Sequence, residues 1–147
     1  MMVFTPYRMA TALIIINVAG GAIALAAAHG FSPSGDSNLS THATYILGLF
    51  LVNGIHGLMH LIIGLLGLFA SAWKIRPDYY LIGHSIWFLS LGLLGLAAAP
   101  ELTPPRTILG LAINLPDHVA HLVLAAISLV PFVMTAGREL PAASSSV

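Results

Sequence analysis

The sequence predicts an all-α integral membrane protein, built as an antiparallel four-helix transmembrane bundle. Two observations lead to this fold class. Of the 147 residues, 58% are hydrophobic and only 7% are charged, and the mean hydropathy is +0.95. Soluble domains usually carry about 25% charged residues. With so few charges, this chain cannot cover a globular surface with water-compatible groups, whereas a lipid-facing bundle does not need them.

Four apolar stretches are long enough to cross the hydrocarbon core, which takes about 20 residues in a helix. They lie at about 9–28, 43–73, 79–99 and 117–136, and form a single membrane domain over 1–147. The second stretch is longer than necessary, so we expect it to tilt or to project beyond the bilayer. The first, which ends in AAAHG, also resembles a secretory signal, although its length exceeds the usual apolar core of about 7–15 residues.

The connections between these stretches differ in length and composition. Gly30–Thr41 is rich in serine and glycine and is predicted to be a loop, while Ile75–Asp78 is a tight connection. Pro100–Pro116 is a longer loop with room for a short interfacial helix. The tail after Arg138 is expected to be disordered.

The basic residues predict the orientation, because loops on the cytoplasmic side carry an excess of Lys and Arg. Arg8, Lys74, Arg76 and Arg138 lie on one side of the predicted bundle, and only Arg106 lies on the other. Both termini are therefore predicted to be cytoplasmic. The chain is predicted to cross its membrane several times.

The second stretch carries two histidines in an otherwise apolar run, NGIHGLMHLIIGLLGLF. Residues three, four and seven apart share one face of a helix. That face carries polar or small residues, namely Asn53, His56, Gly57, His60, Gly64 and Gly67. Small residues let a backbone or a flat ligand come close, and imidazoles are expected to point into the bundle or towards a bound group. The face is therefore predicted to be a contact surface.

The fourth stretch begins with DHVAHLV, in which Asp117 and His121 are four residues apart and can meet along a helix. A carboxylate that accepts an imidazole N–H would orient the ring as a ligand. Alternatively, Asp117 is simply favoured by the dipole at a helix N-terminus. Counted from the predicted helix starts, His56 lies about 20 Å deep and His121 about 6 Å deep. The two meet only if the second helix projects from the membrane.

The remaining histidines are expected to be ordinary. His84 is predicted to lie near the cytoplasmic end of the third helix, too far from the other histidines to join them, beside Trp87 in an interfacial aromatic belt. His29 and His42 flank the first loop and are expected to be solvated. His118 is interpreted as an interfacial residue.

The spacing N-x-x-H-x-x-x-H-x-x-x-G in one helix, followed by D-x-x-x-H at the start of a later one, resembles the bacterial membrane family known as domain of unknown function 4383. The matching positions are Asn53, His56, His60, Gly64, Asp117 and His121. LGLLGLA at 91–97 is similar to the glycine-containing third helix of that family. The resemblance spans roughly 46–130 and implies a four-helix membrane protein without an assigned activity. It also implies that the chain lies in a bacterial inner membrane, cytoplasmic or photosynthetic. His118 departs from the pattern, which more often has a small polar residue there.

The favoured function is a small non-enzymatic accessory subunit of a larger photosynthetic or respiratory membrane complex. Its partners would be larger integral membrane subunits and lipid. Haem iron and chlorophyll magnesium both accept an imidazole nitrogen between helices, so the histidine face could ligate chlorophyll or haem b. The ligands would be His56, His60 or His121, with Gly57 and Gly64 making room for the macrocycle and Asn53 and Asp117 as hydrogen-bond partners.

Two further hypotheses use the same residues. A free-standing haem b or metal-binding protein would use His56, His60 and His121 as ligands, and a small proton or metal transporter would use them as a path. A zinc-type catalytic site is less favoured, since H-x-x-x-H lacks the glutamate of H-E-x-x-H. The chain has no cysteine, which excludes thiolate metal sites. It also has no basic stripe, which argues against nucleic acid as a partner.

Overall fold

The computed structural model describes residues 5–28, 43–98 and 106–136. Four long helices dominate these segments: α1 (Pro6–Ala27), α2 (Gly54–Ala72), α3 (Pro77–Ala98) and α4 (Leu115–Ala136). Each helix is long and apolar enough to cross a membrane. The predicted multi-pass membrane protein with four apolar helices is therefore confirmed. The predicted loop at Gly30–Thr41 and the tail after Arg138 lie outside the described residues.

The helices pack as two antiparallel pairs. Helix α1 packs along α2, and α3 packs along α4, whereas contacts between the two pairs are sparse. The start of α1, the connection between α2 and α3 at 73–76, and the end of α4 therefore lie at one end of the bundle. We call this the turn end. The opposite end, where α2 and α4 begin, is called the hairpin end.

Two short antiparallel hairpins form the hairpin end, so the fold is not purely helical as predicted. Strands β1 (Thr44–Ile46) and β2 (Phe50–Val52) precede α2, and strands β3 (Arg106–Ile108) and β4 (Leu111–Ile113) precede α4. The prediction of one helix over 43–73 was wrong about its start. The short helix expected within Pro100–Pro116 was also wrong, because residues 106–113 form a hairpin.

The hairpins arise from a local turn signal that hydropathy alone does not distinguish from helix. The tetrapeptide Ile-Leu-Gly-Leu occurs at 46–49 and again at 108–111. In each copy the leucine and the glycine after the isoleucine have positive φ values, 55° and 65° at Leu47 and Gly48 and 55° and 82° at Leu109 and Gly110. Glycine adopts this left-handed conformation without a steric penalty. The apolar run is thereby folded back on itself and cannot continue a helix.

The chain is built from two similar units, each a helix, a hairpin and a second helix. Helices α1 and α3 have 22 residues each and both begin with proline. Helices α2 and α4 both follow a hairpin and an asparagine, Asn53 or Asn114. Strands β2 and β4 contact each other where the units meet. This arrangement indicates an approximate two-fold relation between the units.

Glycines bring the backbones of α1 and α2 into direct contact. A Cβ atom on Gly21 would lie 2.5 Å from the backbone nitrogen of Leu61, and one on Gly57 would lie 2.7 Å from the backbone nitrogen of Leu25. Gly64 likewise faces the α1 backbone. In a bilayer, helices associate through van der Waals packing and hydrogen bonds, so this close approach is a main source of stability. The spaces beside Gly57 and Gly64 in the predicted contact surface are thus occupied by α1.

We expect Gly21→Ala to destabilise the protein and Gly20→Ala to leave it at least as stable. The added methyl group at position 21 would overlap the α2 backbone, and overpacking of this kind costs about 1–3 kcal/mol. No described atom lies within 4 Å of a Cβ at Gly20, so that variant controls for helix propensity. Unfolding in detergent by added dodecyl sulfate, followed by circular dichroism, measures both. Equal stabilities would contradict the proposed role of the α1–α2 contact.

The orientation stays a prediction and can be tested with single cysteines, because the chain has none of its own. Ile75 lies at the turn end and Leu49 at the hairpin end, and both are exposed. Since the turn end holds Lys74 and Arg76, it is expected to be cytoplasmic. A membrane-impermeant maleimide should label Leu49→Cys in intact cells, and Ile75→Cys only after the membrane is opened. The reverse pattern would invert the predicted orientation.

Candidate metal centre

Three imidazole rings meet inside the bundle near the hairpin end. His56 and His60 come from α2 and His121 from α4, and we call them the three-histidine cluster. Their ring centroids are 5.2 Å (His56–His60), 5.6 Å (His56–His121) and 5.8 Å (His60–His121) apart. One ring nitrogen from each lies within 4.8 Å of the other two. His56 and His121 are buried, and His60 is partly buried. The structure thus brings both predicted histidine sets together.

The cluster forms because α2 and α4 begin at comparable heights. The side-chain oxygen of Asn53 accepts a hydrogen bond from the backbone N–H of His56 at 3.0 Å and caps α2. Asn114 caps α4 in the same way, accepting from the N–H of Asp117 at 3.3 Å. His60 and His121 each follow their asparagine by seven residues, about 10 Å along the helix. The depth mismatch expected from the sequence disappears because α2 begins at Gly54.

The two helix caps are also linked to each other. The Nδ2 group of Asn53 donates to the carbonyl oxygen of Gly110 at 2.8 Å, and that of Asn114 donates to the carbonyl oxygen of Leu49 at 2.8 Å. Each asparagine therefore begins its own helix and holds the turn of the opposite hairpin. This reciprocal pair of hydrogen bonds fixes the height of one unit relative to the other.

Asp117 does not orient His121 as the sequence suggested. Its Oδ2 atom accepts hydrogen bonds from the backbone N–H groups of Asn114 at 2.9 Å and Leu51 at 3.1 Å. Among the described residues, the buried Nδ1 atom of His121 has no hydrogen-bond partner. The alternative reading, a carboxylate at a helix N-terminus, is the one that the structure supports. The carboxylate accepts hydrogen bonds from backbone N–H groups at the hairpin end, and so it does not bind the ring of His121.

The two α2 histidines are held by hydrogen bonds at Nδ1. The Nδ1 atom of His56 lies 3.0 Å from the carbonyl oxygen of Ala112 in β4, and the Nδ1 atom of His60 lies 2.9 Å from Oδ1 of Asn17 in α1. A carbonyl oxygen only accepts, so His56 carries its proton on Nδ1 and a lone pair on Nε2. Anchoring one ring nitrogen in this way is typical of histidines whose other nitrogen binds a metal.

Asn17 and His84 belong to the surroundings of the cluster, and sequence reasoning missed both. Asn17 is fully buried in α1, and its Nδ2 atom lies 2.9 Å from Nε2 of His84. The prediction that His84 stands apart at the interface was wrong, since it is 3% exposed and connects to His60 through Asn17. A single asparagine in an apolar span could have indicated the site, because polar side chains are costly within a membrane and often mark functional positions.

His118 is buried rather than interfacial. It is 3% exposed, and its ring occupies the space left by the missing side chain of Gly95 on α3. Its Nδ1 atom has no hydrogen-bond partner among the described residues. His118 does not belong to the three-histidine cluster. The predictions for His29 and His42 lie outside the described residues.

Phe88 closes the cluster on the side of α3. Its ring is fully buried and its centroid lies 5.2 Å from those of His60 and His121. On the side of α1, the spaces beside Gly57 and Gly64 are filled by the α1 backbone. The described surroundings therefore leave a compact group of three nitrogen donors. Imidazole nitrogens without thiolates suit zinc, copper, iron and nickel.

We expect Asp117→Leu to destabilise the protein more than Asp117→Asn. Asparagine keeps an acceptor oxygen for the N–H groups of Leu51 and Asn114, whereas leucine leaves both without a partner, at about 1–3 kcal/mol each. Asp78→Leu, which removes an acidic residue from the first turn of α3 instead, should cost less, because exposed ion pairs contribute about 0–1 kcal/mol. The free energy of unfolding in detergent measures all three. Equal losses for the two Asp117 variants would show that the charge, and not the acceptor, matters.

Comparison with known proteins identifies a family whose function is unknown. A family model described as "Domain of unknown function (DUF4383)" matches residues 7–134. The match includes the three-histidine cluster, both asparagine caps and Asn17. No curated protein and no solved structure matches the chain. Any function must therefore be argued from the chemistry of the site.

Proposed function

The chain belongs to the DUF4383 family, whose description names no activity. From the geometry of the site, we propose that this membrane protein binds one transition-metal ion. The ligands are His56, His60 and His121. The observation that supports this proposal most directly is the convergence of three ring nitrogens within 4.8 Å, from two helices, inside the bundle. Zinc, copper, iron and nickel are the metals that imidazole donors of this kind suit.

The spacing of the donors is close to what a single ion requires. Zinc–nitrogen bonds of about 2.0–2.1 Å place the ligands of a tetrahedral site about 3.4 Å apart. Donors at up to 4.8 Å would have to approach one another by at most about 1.4 Å to reach this spacing. Three protein ligands leave a fourth position for water or another small ligand.

The same geometry favours an ion over the chlorophyll or haem b that the sequence suggested. A macrocycle needs a flat space beside its axial imidazole, and a haem with two histidine ligands needs them on opposite faces. Here the rings of His56, His60 and His121 contact one another, and Phe88 covers two of them. The glycines expected to make room for the macrocycle instead contact α1.

A purely hydrogen-bonded network is the simplest competing explanation for the buried rings. Buried polar groups in native proteins almost always have partners, yet the Nδ1 atom of His121 has none among the described residues. An ion bound through Nδ1 of His121 would supply that partner. Since all three ligands come from one chain, the proposal does not require the larger photosynthetic or respiratory complex that the sequence suggested.

We expect the purified wild-type protein to bind one zinc or cobalt ion per chain, and His121→Leu to lose most of that affinity because one of its three ligands is gone. His118→Leu is the matched control, because it removes a buried histidine from the same helix that lies outside the cluster. Elemental analysis gives the stoichiometry. Titration with Co²⁺ in detergent, after chelation, gives the affinity through the visible bands of the coordinated ion.

Three results would overturn this assignment. A wild-type protein that binds neither zinc nor cobalt would leave the histidines as packing groups. Unchanged affinity in His121→Leu would exclude that residue as a ligand. A haem or chlorophyll absorption band in the purified protein, lost in His56→Leu or His60→Leu, would replace the ion with a tetrapyrrole.

A further inference from the structure

We infer that Asn17 is a positioning residue that fixes the tautomer of His60, so that His60 offers Nε2 to the metal. This inference rests on the proposed function, since the metal site is the one proposed above. It follows from a chain of hydrogen bonds that joins α4, α3, α1 and α2 through Ser128, His84, Asn17 and His60. Each donor and acceptor in the chain is determined by the one before it.

The chain of hydrogen bonds begins at Ser128 on α4. Its Oγ atom lies 2.7 Å from the carbonyl oxygen of Leu124, which can only accept, so the hydroxyl proton is used there. Oγ must therefore accept from Nδ1 of His84, 2.8 Å away. His84 then carries its proton on Nδ1, and its Nε2 atom has a lone pair.

The amide of Asn17 is oriented by two acceptors at once. Its Nδ2 atom lies 2.9 Å from the Nε2 lone pair of His84 and 2.8 Å from the carbonyl oxygen of Leu13. Only the NH₂ group has two protons to satisfy both. A flipped amide would place Oδ1 against two acceptors, so the flip is excluded. The Oδ1 atom of Asn17 must therefore face His60.

The last step fixes the ring of His60. Its Nδ1 atom lies 2.9 Å from Oδ1 of Asn17, an atom that only accepts, so the proton of the neutral imidazole is on Nδ1. The lone pair is left on Nε2, as it is at His56, where the carbonyl oxygen of Ala112 fixes the ring. A hydrogen bond of this kind orients a metal ligand and raises its basicity.

Asn17 is well positioned for this role. It is fully buried in an apolar helix, and both ends of its amide are engaged with histidines. Phe88 holds the corresponding place in the second unit, as both are the twelfth residue of helices that begin at Pro6 and Pro77. Phe88 packs against His60 and His121.

The first measurement is metal affinity, from competition between the full-length protein in detergent and a chelator for Zn²⁺. Asn17→Leu should weaken binding about ten- to a hundredfold, the usual cost of losing such a partner, with the stoichiometry unchanged. Asn17→Asp keeps the acceptor for His60 and should weaken binding less than Asn17→Leu, although its second oxygen would face the carbonyl oxygen of Leu13 and Nε2 of His84. Thermal unfolding of each variant identifies any that fail to fold.

The second measurement reads the tautomer directly and needs no metal. In ¹⁵N-histidine-labelled protein, the His60 signals, identified by their absence from His60→Leu, should show a protonated Nδ1 in the wild type. In folded Asn17→Leu they should show a mixture of tautomers, and in Asn17→Asp the wild-type form. An unchanged His60 spectrum in Asn17→Leu would overturn the positioning role even if stability falls.

The two proposals fail in different ways. If the wild type binds metal and Asn17→Leu binds it equally tightly, only the positioning role of Asn17 is overturned. If the wild type binds no metal, the proposed function is overturned and the positioning role falls with it. The spectrum of the metal-free protein then still decides whether Asn17 sets the His60 tautomer.

Discussion

The reciprocal hydrogen bonds between two asparagines and the opposite hairpin turns are the interaction on which the rest of this structure depends. Asn53 and Asn114 each begin a helix and hold the other unit's turn at 2.8 Å. A helix that began one residue earlier would turn the face of its histidines by about 100° and shift them by about 1.5 Å. The three-histidine cluster would then not converge. The site therefore depends on where two helices start, and those starts depend on a pair of side-chain hydrogen bonds.

Much of the fold and of the candidate site could be predicted from the sequence, because the patterns that specify them are local. Apolar runs predict the four helices, and a spacing of three and four residues places Asn53, His56 and His60 on one face. The start of α2 could not be predicted from hydropathy, since the strands before it are as apolar as the helix. Asn17 and His84 could not be connected with the cluster, because their relation exists only after α1 and α3 have packed. Asp117 was misread because its backbone partner, Leu51, is distant in sequence.

The glycines of α2 explain how α1 contributes to the site. From the sequence, small residues beside histidines fit a flat ligand or a neighbouring backbone equally well. The structure shows the backbone: a Cβ on Gly64 would lie 3.2 Å from the carbonyl carbon of Asn17, and Gly57 and Gly21 face the opposing helix in the same way. Because α1 comes this close, the short side chain of Asn17 reaches His60 at 2.9 Å. The close packing of α1 against α2 thus also brings the polar side chain of Asn17 to the site.

Because the chain is built from two similar units, the proposed ion would link one unit to the other. His60 and His121 occupy equivalent positions in the two units, but the equivalent of His56 is Asp117, and the equivalent of Asn17 is Phe88. The first unit therefore supplies two of the proposed ligands and the anchor of His60, while the second supplies one proposed ligand, the anchor of His56 and an aromatic wall. The units contact each other sparsely along their helices, and strands β2 and β4 also meet at the hairpin end. An ion bound by His56, His60 and His121 would bond one unit to the other below the hairpins. The differences between the two units at these two positions would thus give the contact between them one asymmetric site for the proposed ion.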